Sequence, residues 1–196
     1  MRFKIDKIPY AHRNLEIDTS WQEAPTLGEM WIQSLGLAVS CVGMLLVGVI
    51  VQGQFIPKGL LVTLSILLLT VPVHELLHAL STPEWGLSPK TIFGFRQYWG
   101  LWTPYVSFEG DQPFWRFLLT GLAPTIFLTC LPLILVVSFP LADPYRAWLG
   151  FLAFFNIAIS GGDLVLVFWF LKSLPWRTEI RQMDWKLHWK ATNPAH

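Results

Sequence analysis

The chain has 196 residues, 53% of them hydrophobic and 14% charged, with a mean hydropathy of +0.47. That balance excludes an ordinary soluble domain and a disordered segment, and it predicts a membrane protein. A formal net charge of +1 excludes the basic footprint of a nucleic-acid binder. Cys41 and Cys130 both lie in apolar runs and read as small core residues rather than a disulfide or zinc ligands.

Residues 1–29 mix acidic and basic side chains, hold Pro9 and Pro25, and contain no apolar leader. They predict a cytoplasmic tail, in which Ser20-Trp21-Gln22-Glu23 offers the start of a short surface helix. Residues 31–51 carry no charge and suffice for one membrane span. Trp31 suits an interfacial anchor, and Gly36, Ser40, Gly43 and Gly48 are small enough for close helix packing.

After a turn holding Pro57, residues 59–80 form a second span. Pro72 predicts a kink that frees a carbonyl near the far end of this helix. There the chain reads His74-Glu75-Leu76-Leu77-His78, the pattern H-E-x-x-H. Residues four apart share a helix face, so His74 and His78 can point at one ion and supply half of a tetrahedral zinc site. Glu75 can take a proton from a water on that metal, the general base of a zinc peptidase. On a soluble helix the same letters often mark a charged surface. Here the flanks are Leu and Val, and ionisable groups in such a setting need partners or a function.

Residues 81–113 are too long for a plain connection. The stretches 91–95 and 102–108 are β-prone and predict a hairpin at the membrane surface. It serves either as a strand edge for an extended substrate or as an aromatic lid. Residues 114–139 form the third span, interrupted by Pro124 and Pro132, with Gly121, Thr125 and Thr129 as a packing face. Residues 145–171 form the fourth. On it Asn156, Ser160 and Asp163 fall at i, i+4 and i+7, a polar stripe on an apolar helix. An aspartate in hydrocarbon needs a cation, which makes Asp163 the best candidate for a third zinc ligand. The alternative is a protonated Asp163 hydrogen-bonded within the bundle. The Asn156 and Ser160 stripe, together with the aromatic loop, is expected to line a polar path to the site.

Residues 172–196 are basic and rich in Trp. Trp185 and Trp189, like Lys186 and Lys190, recur four apart and predict a helix on the membrane surface. His188 and His196 in this tail are not expected to be ligands. Four spans place both tails and the second loop on one side, with 12 of the 14 basic residues, which predicts cytoplasmic termini. Counted back from the cytoplasmic ends of two straight helices, His74 and Asp163 differ in depth by only about 3 Å.

The helix sequence HELLHAL, paired with NIAISGGDL on a later span, resembles the putative zincin-peptidase family of small bacterial membrane proteins. That family is in turn similar to site-2-protease-type intramembrane metalloproteases. The resemblance runs through the second to fourth spans, including Pro104-Tyr105-Val106 and Leu122-Ala123-Pro124. It implies His74, His78 and Asp163 as zinc ligands, Glu75 as catalytic base and Asn156 as a substrate or oxyanion contact; Asn156 and Ser160 are candidates either for contacting substrate or for supporting the ligands from behind. Asp163 sits in SGGD rather than the L-D-G or N-P-D-G of site-2 proteases, and the chain has no PDZ-like domain.

The expected fold is an all-α membrane protein, one domain over residues 1–196, with four transmembrane helices and a possible β-hairpin between the second and third. The expected function is intramembrane zinc metallopeptidase, cleaving membrane protein or peptide substrates in a bacterial plasma membrane. Lipid is the other partner, nucleic acid is not one, and the oligomeric state stays open. The rival reading is a catalytically inactive zinc-binding scaffold or chaperone, which a closed four-ligand site would favour. A transporter ranks last, because one His/Asp cluster offers no chain of sites across the bilayer.

Overall fold

The computed structural model describes residues 1–6, 20–52, 57–98, 101–183 and 186–192. The chain divides into two compact units, one of Leu27–Leu77 and Gly121–Phe168, the other of Met1–Thr26, His78–Thr120 and Trp169–His196. The boundaries between them fall at Thr26/Leu27, Leu77/His78, Thr120/Gly121 and Phe168/Trp169.

The first unit is helical. Helix α1 (Glu29–Ile50) holds no proline and no charge after Glu29, and it ends where Gln52 turns left-handed at φ 55°. Helix α2 (Leu60–Ser81) carries Pro72 in its interior. Helix α3 (Phe114–Thr125) passes through a wide π turn, Ile126–Cys130, into α4 (Leu131–Ser138). Helices α5 (Asp143–Ile159) and α6 (Gly161–Ser173) follow. Val47, Val51, Val136, Ala153 and Ile157 form a buried core joining α1, α4 and α5. The outward faces are just as apolar. Leu45 is 71% exposed and Leu61 80%, as fits helices that face hydrocarbon. Cys41 and Cys130 are exposed and free on these faces, not core residues as expected, because an apolar run in a span can face lipid.

Three helical stretches, Met30–Ile50, Leu60–Ser81 and Phe114–Ser138, are long and apolar enough to cross a membrane. The fourth expected span is not one helix: α5 and α6 are bent by 59° at Ser160. The reason lies in Ser160-Gly161-Gly162. A Cβ on Gly161 would fall inside the Gly36 carbonyl and the Ser40 hydroxyl, and one on Gly36 would lie 3.1 Å from the Gly162 nitrogen. Close approach of α1 to the break therefore needs glycine on both sides. Ser40 Oγ adds a hydrogen bond to the Ala158 carbonyl at 2.8 Å, and Gly43 leaves room for Ile157. Gly48 meets nothing within 4 Å and makes no such contact.

The second unit corrects the all-α expectation, for it holds two small sheets. One has the order β1-β3-β4 (Arg2–Asp6, Thr91–Tyr98, Leu101–Phe108), with β1 parallel to β3 and Thr91 opposite Phe108 in the antiparallel pair. The β-prone stretches of the second loop lie in β3 and β4. The other sheet has the order β2-β7-β6-β5 (Gln22–Glu23, Lys186–Ala191, Thr178–Met183, Asp111–Pro113). Ser20 to Glu23 is thus no helix, and Trp21 is buried with the Arg181 guanidinium 4.4 Å from its ring centre. The tail expected as a surface helix is the β6–β7 pair. Residues 7–19 and Trp185 lie outside the described residues.

Candidate metal centre

His74 and His78 lie one turn apart on α2, buried at 4% and 9% exposure. Asp163 stands in the first turn of α6, where unpaired backbone N–H groups and the helix dipole favour a carboxylate. His74 Nε2 lies 3.2 Å from Asp163 Oδ2. One ligand atom from each of His74, His78 and Asp163 falls within 4.8 Å of the other two. The depth match predicted from two straight helices loses its premise at the Ser160 bend. The break instead starts a new helix whose first turn carries Asp163.

The second nitrogen of each imidazole decides what the first can do. His78 Nδ1 lies 2.7 Å from the Thr120 carbonyl, which only accepts, so the proton sits on Nδ1. His74 Nδ1 lies 2.9 Å from Asn156 Oδ1. The orientation of that amide follows from its surroundings. Asn156 Nδ2 faces the Pro124 carbonyl at 3.1 Å, Thr129 Oγ1 at 2.9 Å and Ser160 Oγ at 3.2 Å. The Pro124 carbonyl cannot donate, so nitrogen must face it and oxygen must face His74. Nδ1 of His74 therefore donates, so in each histidine Nε2 is the nitrogen that would bind a metal. At His74 Nε2 faces the Asp163 carboxylate at 3.2 Å, a spacing that a proton or a metal ion held by both groups can bridge.

The donor set fits zinc: two neutral imidazoles and one carboxylate, each histidine held from behind by an oxygen. Among the described residues the group has three ligands, which leaves a fourth tetrahedral position for water or substrate. Glu75 follows His74 and is half-buried.

Asn156 and Ser160 lie behind the ligands and not along an entry path. Both are 0% exposed, so neither lines a path from solvent. The Asn156 amide is saturated by four partners, and Ser160 Oγ donates to the Asn156 carbonyl at 2.9 Å. Asn156 Oδ1 stands behind the His74 ring, the supporting position among the two expected for it. Thr129, expected on a packing face, is part of this network, while Thr125 Oγ1 is buried without a hydrogen-bond partner among the described residues.

Two supporting groups were not singled out by the sequence. Thr120 acts through its backbone, which composition does not advertise. Arg116 donates from Nε to the Ser81 carbonyl at 2.7 Å and from an amino group to the Thr82 carbonyl at 2.8 Å. It satisfies orphan carbonyls at the end of the helix that carries both histidines. Its signal was a cation near the start of a span, readable as a cap only once the helix ends are known to meet.

No curated protein and no solved structure matches the chain. A family described as putative zincin peptidase matches residues 67–177, more than half of the chain, from before the first histidine to beyond Asp163. On that match, and with a zincin-type donor set in the matched region, the chain belongs to the putative zincin-peptidase family.

Proposed function

We propose that this protein is an intramembrane zinc metallopeptidase that hydrolyses peptide bonds of membrane-associated protein substrates. In this reading His74, His78 and Asp163 hold zinc, and Glu75 is the general base. The protein sits in a bacterial plasma membrane with both termini in the cytoplasm. The observation that carries the reading is the pinning of both imidazoles through Nδ1, with His74 Nε2 turned to the Asp163 carboxylate and His78 in the same group. Zinc, when bound, supplies a Lewis acid that polarises a carbonyl and makes a water acidic near neutral pH.

The chain's own residues do the rest. Asn156 and the Thr120 carbonyl fix the tautomers that leave ligand lone pairs. Asp163 adds negative charge, steadied by the N-terminus of α6. Glu75 accepts the proton of the attacking water and hands it to the leaving amine. Burial of both histidines excludes bulk water, which strengthens each of these electrostatic contacts.

The test begins with the zinc content of detergent-purified protein beside His74→Ala and Asp163→Ala. Near-stoichiometric zinc, lost in both variants, is expected. Retention in Asp163→Ala would remove that residue as an essential ligand. Against a library of membrane-anchored reporter peptides, Glu75→Gln should keep zinc and lose about 10²–10⁴-fold in cleavage. Undiminished cleavage by that variant rules out Glu75 as base.

A further inference from the structure

Pro124 lies inside α3 and is fully buried. Proline has no backbone N–H, so the Thr120 carbonyl four residues earlier loses its helical donor, and the ring pushes that carbonyl off the helix axis. A part-buried carbonyl without a partner is costly. The Thr120 carbonyl finds its partner in His78 Nδ1, at 2.7 Å. The next turn is a π turn, with the Leu131 N–H bonded to the Ile126 carbonyl five residues back. Such a turn loosens the regular ladder and leaves carbonyls open to other donors. Just before it, the Pro124 carbonyl accepts from Asn156 Nδ2, whose Oδ1 takes the Nδ1 proton of His74. Within the turn, Thr129 Oγ1 takes the same amide. One defect in one helix thus leads to the rear nitrogen of each histidine by a separate route.

We propose that Pro124 is a positioning residue: by stripping the Thr120 carbonyl of its helical donor, it sets the Nδ1–H tautomer of His78. The proposal rests on His78 being a metal ligand only for its consequence in zinc affinity; the tautomer itself is read without metal. Pro124→Ala returns an N–H to the helix. The Thr120 carbonyl then swings back toward the axis and is shared. Alanine is the better helix former, so α3 is expected to persist. Pro124→Val, nearer in volume, supplies the same N–H if the alanine variant packs poorly.

Two readouts are taken on the full chain in lipid nanodiscs. The ¹⁵N shifts of labelled, metal-free protein report the tautomer of His78, assigned with His78→Gln. Chelator competition reports the zinc dissociation constant. In either Pro124 variant the His78 shifts should move toward mixed tautomers while those of His188 stay in place, and zinc should bind about 10-fold more weakly. Pro72→Ala and Pro132→Ala, which also return an N–H to an apolar helix, should change neither. Unchanged His78 shifts in both Pro124 variants overturn the proposal, even if zinc affinity falls, since the proline would then act on helix shape alone. If the unmodified protein binds no zinc, the ligand assignment fails, and the tautomer measurement still decides the role of Pro124.

Discussion

The amide of Asn156 has two N–H groups and one oxygen, and all are committed within a fully buried site. Removing it strands the His74 Nδ1 proton and the Pro124 carbonyl in a low-dielectric interior. Asn156→Leu should therefore destabilise the fold by about 1–3 kcal/mol. It should also weaken zinc binding by about 10–100-fold, because the His74 ring loses the partner that orients it. Thermal melts in detergent and chelator competition measure the two effects. A variant that melts early but binds zinc at full strength would make Asn156 a folding residue only. At this scale the sequence was informative about ligand types: His74, His78 and Asp163 are chemically conspicuous in an apolar chain. Of the partners behind them, Asn156 was legible as a polar residue in an apolar helix, but Thr120 was not, because it contributes a backbone carbonyl, and any residue has one.

At the scale of elements, the break between α5 and α6 matters most. It puts Asp163 in the first turn of a new helix rather than seven residues along an old one. The closeness of α1 at Gly161 maintains it, since an added methyl there would overlap the Gly36 carbonyl and Ser40 hydroxyl. Gly161→Ala should lose about 1–3 kcal/mol through this overpacking. It should shift Asp163 as well and lower zinc affinity more than Gly48→Ala, where a methyl meets nothing within 4 Å. Equal stability and equal zinc affinity in the two variants would show that α1 does not hold the break. The polar stripe at i, i+4 and i+7 suggested a straight helix, since a sequence pattern does not record where two glycines let the chain turn. The tail misled for a related reason. A spacing of four is one turn of helix but also two repeats of a strand, so Lys186 and Lys190 share a face either way. In β7 their neighbour Leu187 is buried under the sheet instead.

For the whole molecule, the sheet β2-β7-β6-β5 contributes a pH response distinct from the metal centre. Burial lowers the pKa of His188 below its ordinary 6.5; Glu23 opposes the shift, while Lys186 and Arg181 add to it. The folded chain therefore prefers neutral His188, and the unfolded chain binds the proton more readily. Its stabilising contribution is full above about pH 6.5 and is lost as the pH falls toward the lowered folded value. Amide exchange over Lys186–Ala191, corrected for intrinsic rates, should speed up between about pH 7.5 and about pH 5.5, and His188→Gln should flatten that slope. A slope unaltered in the variant assigns the response elsewhere. Asp111 works in the same sense at lower pH. Its hydrogen bond to Arg181 depresses its pKa from 3.8, and the paired carboxylate is lost only as the pH falls through that range.

By itself the sequence marked the apolar stretches fit for a membrane and the residue types of the candidate site. The apolar runs of α1 and α2 are long enough to cross a membrane, and H-E-x-x-H with a distant aspartate in such runs admits few uses besides a cation. Tertiary structure decided where the fourth apolar stretch breaks and whether the termini are tails or strands. It also decided which oxygen stands behind each histidine. The reason is range. Hydrophobicity and helical spacing act over one or two turns and can be read locally. The hydrogen bonds that set the two imidazoles join residues 82 and 42 positions apart, and a pattern local to the chain carries no record of them.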